Sequence, residues 1–159
     1  MGCNSIGRLI SILNRQAQIY LNCAFKDLDI GSSEYLFLIT LLKEGSMTQE
    51  ELSARIMIDK AATARAVKSL EEKGYVTRET DADDRRAKKV TCTDKGAASR
   101  EEIQAALEGW TDFLTAGIDT PTLDLLMHTL EQMSEKARSA DFKEMTQKEK
   151  NNGSFKTVG

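Results

Sequence analysis

"LEEKGYVTRETDADDRRAKKVTCTDKG", residues 70 to 96, is the stretch that decides the fold of this chain. It opens on the end of a helical pattern, which Gly74 stops. Two short runs rich in β-branched residues follow, YVTRET (75–80) and AKKVTCT (87–93), on either side of the turn-rich DADDRR. That pattern is a hairpin with a long charged tip. Asp81, Asp83 and Asp84 stand ahead of Arg85, Arg86, Lys88 and Lys89, in a chain of net charge −3. Runs of charge are most often solvated loops. A finger that touches a polyanion is the alternative, and the flanking sequence separates the two.

On the N-terminal side, TQEELSARI (48–56) opens with Thr48 and carries Glu51 three residues later. This is a capping box, worth about 1 kcal/mol when both bonds form. MID (57–59) ends the helix, and Asp59 is placed to cap the next, KAATARAVKSLEEKG (60–74). Ala62, Ala66, Val67 and Leu70 form its expected inward face. Lys60, Thr63, Ala64, Arg65 and Lys68 form its expected outward face, small or basic throughout. Two short helices joined by a tight turn make a helix-turn-helix, whose second helix can enter a DNA major groove. The hairpin adds a wing.

Further out, Ile6, Leu9, Ile10, Leu13, Ala17, Tyr20, Leu21 and Ala24 recur at steps of three and four, an amphipathic helix over 6–24. EYLFLITLLKEG (34–45) is apolar nearly all round, hence a buried helix closed by Gly45. Thr93 caps a long helix with Ile103, Leu107, Trp110 and Leu114 on one stripe. Pro121 behind Thr120 starts a last one, with Leu123, Leu126, Met127, Leu130 and Met133 on one stripe. From Phe142 onward there is no period and much polarity, which predicts a loose tail.

The composition bounds the function. A chain of 159 residues, 40% hydrophobic and 30% charged, is one ordinary globular domain or one with an extension. No apolar run reaches the roughly 20 residues of a membrane span, and no apolar signal core follows Arg8. Cys3, Cys23 and Cys92 are too scattered for a disulfide framework or a metal site, and a single histidine, His128, supplies no zinc constellation. The expectation is a reduced, cytoplasmic protein without metal or cofactor. No catalytic residue is assigned: there is no phosphate loop, no metal cluster and no nucleophile with a base. Residues 55–89 hold ten Lys and Arg against seven Asp and Glu, while the rest holds twelve against eighteen. A basic head on an acidic body fits a DNA reader with a separate frame.

The order of these elements, and above all Leu70 to Gly96 with its Asp84-Arg85-Arg86 and Thr93-x-x-Gly96, resembles the MarR family of bacterial winged helix-turn-helix regulators, over residues 6 to 138. The resemblance implies a mainly α fold with a small β-hairpin wing and long N- and C-terminal dimerisation helices. Residues 1–140 would form one domain, with the winged lobe at 30–96 and the frame at 5–28 and 97–138, followed by a polar tail at 141–159. It implies a homodimer on a pseudo-palindromic operator in double-stranded DNA, acting as a repressor released by a small aromatic or phenolic ligand. Arg86 matches the wing arginine of the minor groove, with Arg85 beside it, and Asp84 matches the aspartate that braces the wing. Arg65 matches the recognition-helix arginine, although Ala64 stands where the family often has Thr or Ser. The candidate DNA contacts are Thr48, Gln49, Lys60, Thr63, Arg65, Lys68, Arg85, Arg86 and Lys88.

Tyr35 and Trp110 are candidates for a ligand pocket between frame and lobe, against the commoner role of aromatics at helical spacing as core. Cys23, on the first helix, raises a redox-sensing alternative. Its only nearby cation in sequence is Lys26, so it reads as a small buried or half-buried hydrophobe. The remaining alternative is a winged-helix adaptor for another protein, which need not keep two cationic surfaces.

Overall fold

A computed structural model of the protein describes residues 5–80 and 88–151, the side chains of 148–151 aside. Cys3, Asp84, Arg85 and Arg86 lie outside the described residues. Helix α1 spans Ile6–Ala24, capped by Ser5, and α2 spans Tyr35–Glu44, closed at Gly45 with φ +87°. A two-residue strand β1, Met47–Thr48, leads into α3, Gln49–Ile56. Both bonds of the predicted capping box are present: the Glu51 N–H donates to Thr48 Oγ1 at 3.1 Å, and the Thr48 N–H to Glu51 Oε2 at 2.7 Å. Helix α4 spans Lys60–Glu72 behind its predicted cap, with the Ala62 N–H 2.8 Å from Asp59 Oδ1.

Gly74, at φ +79°, turns the chain into β2, Val76–Thr80, which pairs antiparallel with β3, Lys88–Cys92. The register sets Val76 opposite Cys92 and Thr80 opposite Lys88. The sequence reading lacks β1, which adds to the other edge of β3, Met47 opposite Val90, in a sheet of order β1-β3-β2.

Three further boundaries depart from expectation. The helix capped by Thr93 is divided at Ser99 into α5, Asp94–Ala98, and α6, Arg100–Thr115. Ser99 is buried, and its hydroxyl donates back to the Gly96 carbonyl at 2.8 Å. Helix α7, Thr120–Arg138, is capped one residue earlier than read, by Asp119, so Thr120 lies inside it. The segment read as a loose tail contains α8, Phe142–Asn151, whose first turn donates from Lys143 and Glu144 to Asp141 Oδ1.

The chain divides into two compact units, Met1–Leu114 and Thr115–Gly159. The core belongs to the first. Leu21 and Phe25 meet Phe37, Leu38 and Leu41 of α2, Leu52 of α3, Val67 and Leu70 of α4, Val76 and Val90 of the sheet, and Ile103 of α6. In the second unit α7 has no buried residue at all.

Candidate nucleic-acid interface

The turn between α3 and α4 is fixed by its own backbone. Met57 takes the left-handed conformation at φ +59°, strained for a residue with a Cβ. The strain is held by the Ile58 N–H donating to Ser53 O at 3.1 Å and the Ser53 hydroxyl donating to Ile58 O at 2.6 Å. These two bonds close the turn that joins α3 to α4.

Salt bridges then brace α4 from three sides. Glu34, at the head of α2, accepts from Lys73 Nζ at 2.9 Å and from the Gly31 N–H at 2.6 Å. Burial pushes the Glu34 carboxyl up, but the Gly31 N–H, Lys73 and Ser69 outweigh it and hold its pKa below the ordinary value. Arg78 of β2 donates from Nε to Glu71 Oε2 at 2.9 Å, tying the base of the wing to the end of α4. That bond lowers the pKa of Glu71 and raises that of Arg78. Lys60 pairs with Glu50 of α3 across the turn.

Of the expected outward positions on α4, Lys60, Ala64, Arg65 and Lys68 are exposed, together with Ala61. Thr63 is the exception. It is fully buried with Val67 and Leu70, which follow it at four and seven residues, so it faces the core and not a groove. Its hydroxyl has no hydrogen-bond partner among the described residues, and neither does the buried amide nitrogen of Gln49. The Thr48 hydroxyl is spent on the capping box, donating to Glu51 Oε2 at 3.0 Å. Lys88 is exposed at the start of β3. Arg65 pairs with no described residue and rims a cavity of about 350 Å³ that Ser33, Glu34, Phe37, Ala62 and Ser69 also line.

The two ligand-pocket candidates both pack against other aromatic rings. Tyr35 packs against Phe25 with ring centroids 5.6 Å apart, and Trp110 stacks on Tyr20 at 5.4 Å and on Phe113 at 5.9 Å. Cys23 is exposed, contrary to expectation, because the buried side of α1 passes through Leu21 and Phe25 instead. Burial pushes the Cys92 thiol up to about 11, so it is not a thiolate at neutral pH. Among the described residues no group of His, Cys, Asp and Glu is placed to hold a metal ion, and no helix is long and apolar enough to cross a membrane.

A helix-turn-helix with a cationic second helix, braced against a three-stranded wing sheet, defines the winged-helix class of regulators. Residues 30–88 match the model of the MarR family. The chain is 29% identical over 136 residues to YybA of Bacillus subtilis (strain 168), called an uncharacterized HTH-type transcriptional regulator, spanning 84% of this chain and 91% of that one. The crystal structure of a MarR transcriptional regulator from Methanosarcina mazei Go1 is 36% identical, with a TM-score of 0.80 over 83% of this chain and 95% of that one. The fold is also that of a MarR family regulator of Listeria monocytogenes solved with 26mer DNA, 22% identical, with a TM-score of 0.80 over 85% of this chain and 90% of that one. The chain belongs to the MarR family, and is a transcriptional regulator of that family.

Proposed function

We propose that the protein is a dimeric, sequence-specific reader of double-stranded DNA that represses transcription by occupying a promoter. The observation that carries this is the exposed face of α4, where Lys60, Arg65 and Lys68 stand free of the core on the second helix of a braced helix-turn-helix. Lys88, exposed as the first residue of β3 opposite Thr80, adds a further cation, and the family resemblance implies a minor-groove contact for Arg86 with Arg85 beside it. An adaptor for another protein has no need of these charges.

Two-fold pairing is supported by apolar surface that one chain leaves in water. Ile6, Leu9, Ile10 and Leu13 are exposed on α1, and Leu125, Leu126, Met127 and Leu130 on α7. Exposed apolar surface of this extent marks a protein interface. Sedimentation should find twice the chain mass of 17.7 kDa; a folded species at the single mass would exclude pairing. Release by a small aromatic or phenolic acid is the further part of the proposal. The cavity rimmed by Arg65 lies against α4, so a ligand there could bias the lobe only through unequal affinity for its DNA-bound and free states.

A mobility-shift titration with duplex from upstream of the protein's own gene, against random duplex as competitor, tests the reading. Arg65→Ala and Arg86→Ala should each weaken specific binding by roughly 1–3 kcal/mol. Wild-type affinity in both variants, or no shift at low salt, would exclude it. Aromatic acids that move neither operator affinity nor melting temperature would remove the ligand and leave the DNA reading intact.

A further inference from the structure

The face of α4 proposed to read DNA lacks one kind of side chain. Bidentate recognition of adenine takes the amide of Asn or Gln. None of the 13 residues of α4 is either. Its hydroxyls are no substitute, since Thr63 is fully buried and Ser69 is half-buried and hydrogen-bonded to Glu34. Gln49, the nearest amide in the helix-turn-helix, has its side-chain nitrogen buried.

What α4 does expose are Lys60, Ala61, Ala64, Arg65, Lys68 and Glu72. Lys68 pairs with Glu72 at 3.6 Å, and Lys60 pairs with Glu50. Both lysines are point charges on long stems, suited to phosphate rather than to the edge of one base. Ala61 lies three residues before Ala64 and four before Arg65, so all three share one face of the helix. Exposed alanines alone would carry no meaning. These stand between the cations of the face assigned to the groove, where only a Cβ separates the helix backbone from the floor. In a major groove the partner of an alanine methyl is the 5-methyl of thymine, and the partner of a guanidinium is O6 and N7 of guanine.

Resting on the DNA-reading function proposed above, we infer that α4 selects its operator by thymine methyl groups packed against Ala61 and Ala64, with Arg65 making its bidentate contact to guanine. Ala64 is then a specificity residue in its own right. A Thr or Ser there would add a hydroxyl to a contact that is purely apolar in this chain.

The test uses the full-length protein and a duplex enriched by it from a random-sequence pool. Each thymine of a half-site is replaced in turn by uracil, which removes the methyl and keeps the pairing edge. At one or two positions per half-site this should weaken binding about fourfold, the worth of one buried methyl-sized group. Replacing the contacted guanine by 7-deazaguanine should weaken it about tenfold or more, while 7-deaza-adenine at any adenine should change it less than twofold. Ala64→Gly should abolish the thymine-over-uracil preference at one position only. Should that variant lose helix, Ala64→Ser, which sets a hydroxyl against the methyl, should reduce the same preference. Uracil duplexes all within twofold of the parent, or 7-deaza-adenine as damaging as 7-deazaguanine, would overturn the inference. If the pool yields no enriched duplex at all, the DNA-reading function itself falls and this inference with it.

Discussion

At Thr63 the side chain is fully buried on the face that also carries Val67 and Leu70, and its hydroxyl is unpartnered. A buried hydroxyl without a hydrogen bond costs about 1–3 kcal/mol. Thr63→Val keeps the branched shape and removes that cost, so urea unfolding should show stability raised by about 1 kcal/mol, with operator affinity unchanged. A loss of affinity would return Thr63 to the DNA surface. Gly96 makes the opposite case, a residue where nothing can be added. A Cβ there would lie 2.4 Å from the Tyr75 carbonyl oxygen, at the point where the Gly96 N–H donates to Thr93 Oγ1 at 3.1 Å. The same hydroxyl donates to the Gly74 carbonyl at 2.7 Å, so the Thr-x-x-Gly of the sequence is a clasp between the end of the wing and α5. Gly96→Ala should destabilise by roughly 1–3 kcal/mol by overpacking, read in the same unfolding experiment.

Between elements, the contact that seats α4 is the Glu34–Lys73 pair. The folded pKa of Glu34 lies below its ordinary 4.5, so folding favours its ionised form. Its stabilisation is therefore complete above the unfolded value and is lost as pH falls through the lower folded one. Melting temperature measured from pH 7 down to pH 3 should fall in that range. In Glu34→Gln the acid limb should be shallower, and stability at neutral pH lower by roughly 1.5–3 kcal/mol. An unchanged acid limb in the variant would mean that other carboxylates govern it. None of this pairing was legible in the sequence, because residues 34 and 73 are joined only by the fold. The elements themselves were, wherever the signal is local: Thr48 with Glu51, Asp59 before α4, and β-branched runs around a polar turn each determine their own segment. β1 escaped since two residues become a strand only through Val90 and Lys89 opposite them. Thr63 was misplaced because α4 is so rich in alanine that its apolar face has no sharp edge. The cap of α8 was present in Asp141 but was outweighed by a polar run without period.

For the molecule as a whole, the distribution of charge governs how the reading face meets DNA. The segment 55–89 carries ten cations against seven anions, and the remainder twelve against eighteen. The remainder repels a duplex unless the cationic face is turned towards it, which penalises misaligned encounters more than aligned ones. On the proposed function each lobe offers Lys60, Arg65, Lys68 and Lys88, with Arg85 and Arg86 from the wing sequence, and about four of these reach phosphate together. A dimer then neutralises about eight phosphates, so operator affinity should fall with salt at a log–log slope of roughly −7. Binding to a full palindrome should also far exceed binding to one half-site, because half-sites one helical turn apart, about 34–36 Å, engage both lobes at once. Affinity titrated from 50 to 300 mM salt on both duplexes checks the two statements together. A slope shallower than about −3, or equal affinity for the single half-site, would show that the cationic faces do not work as a pair.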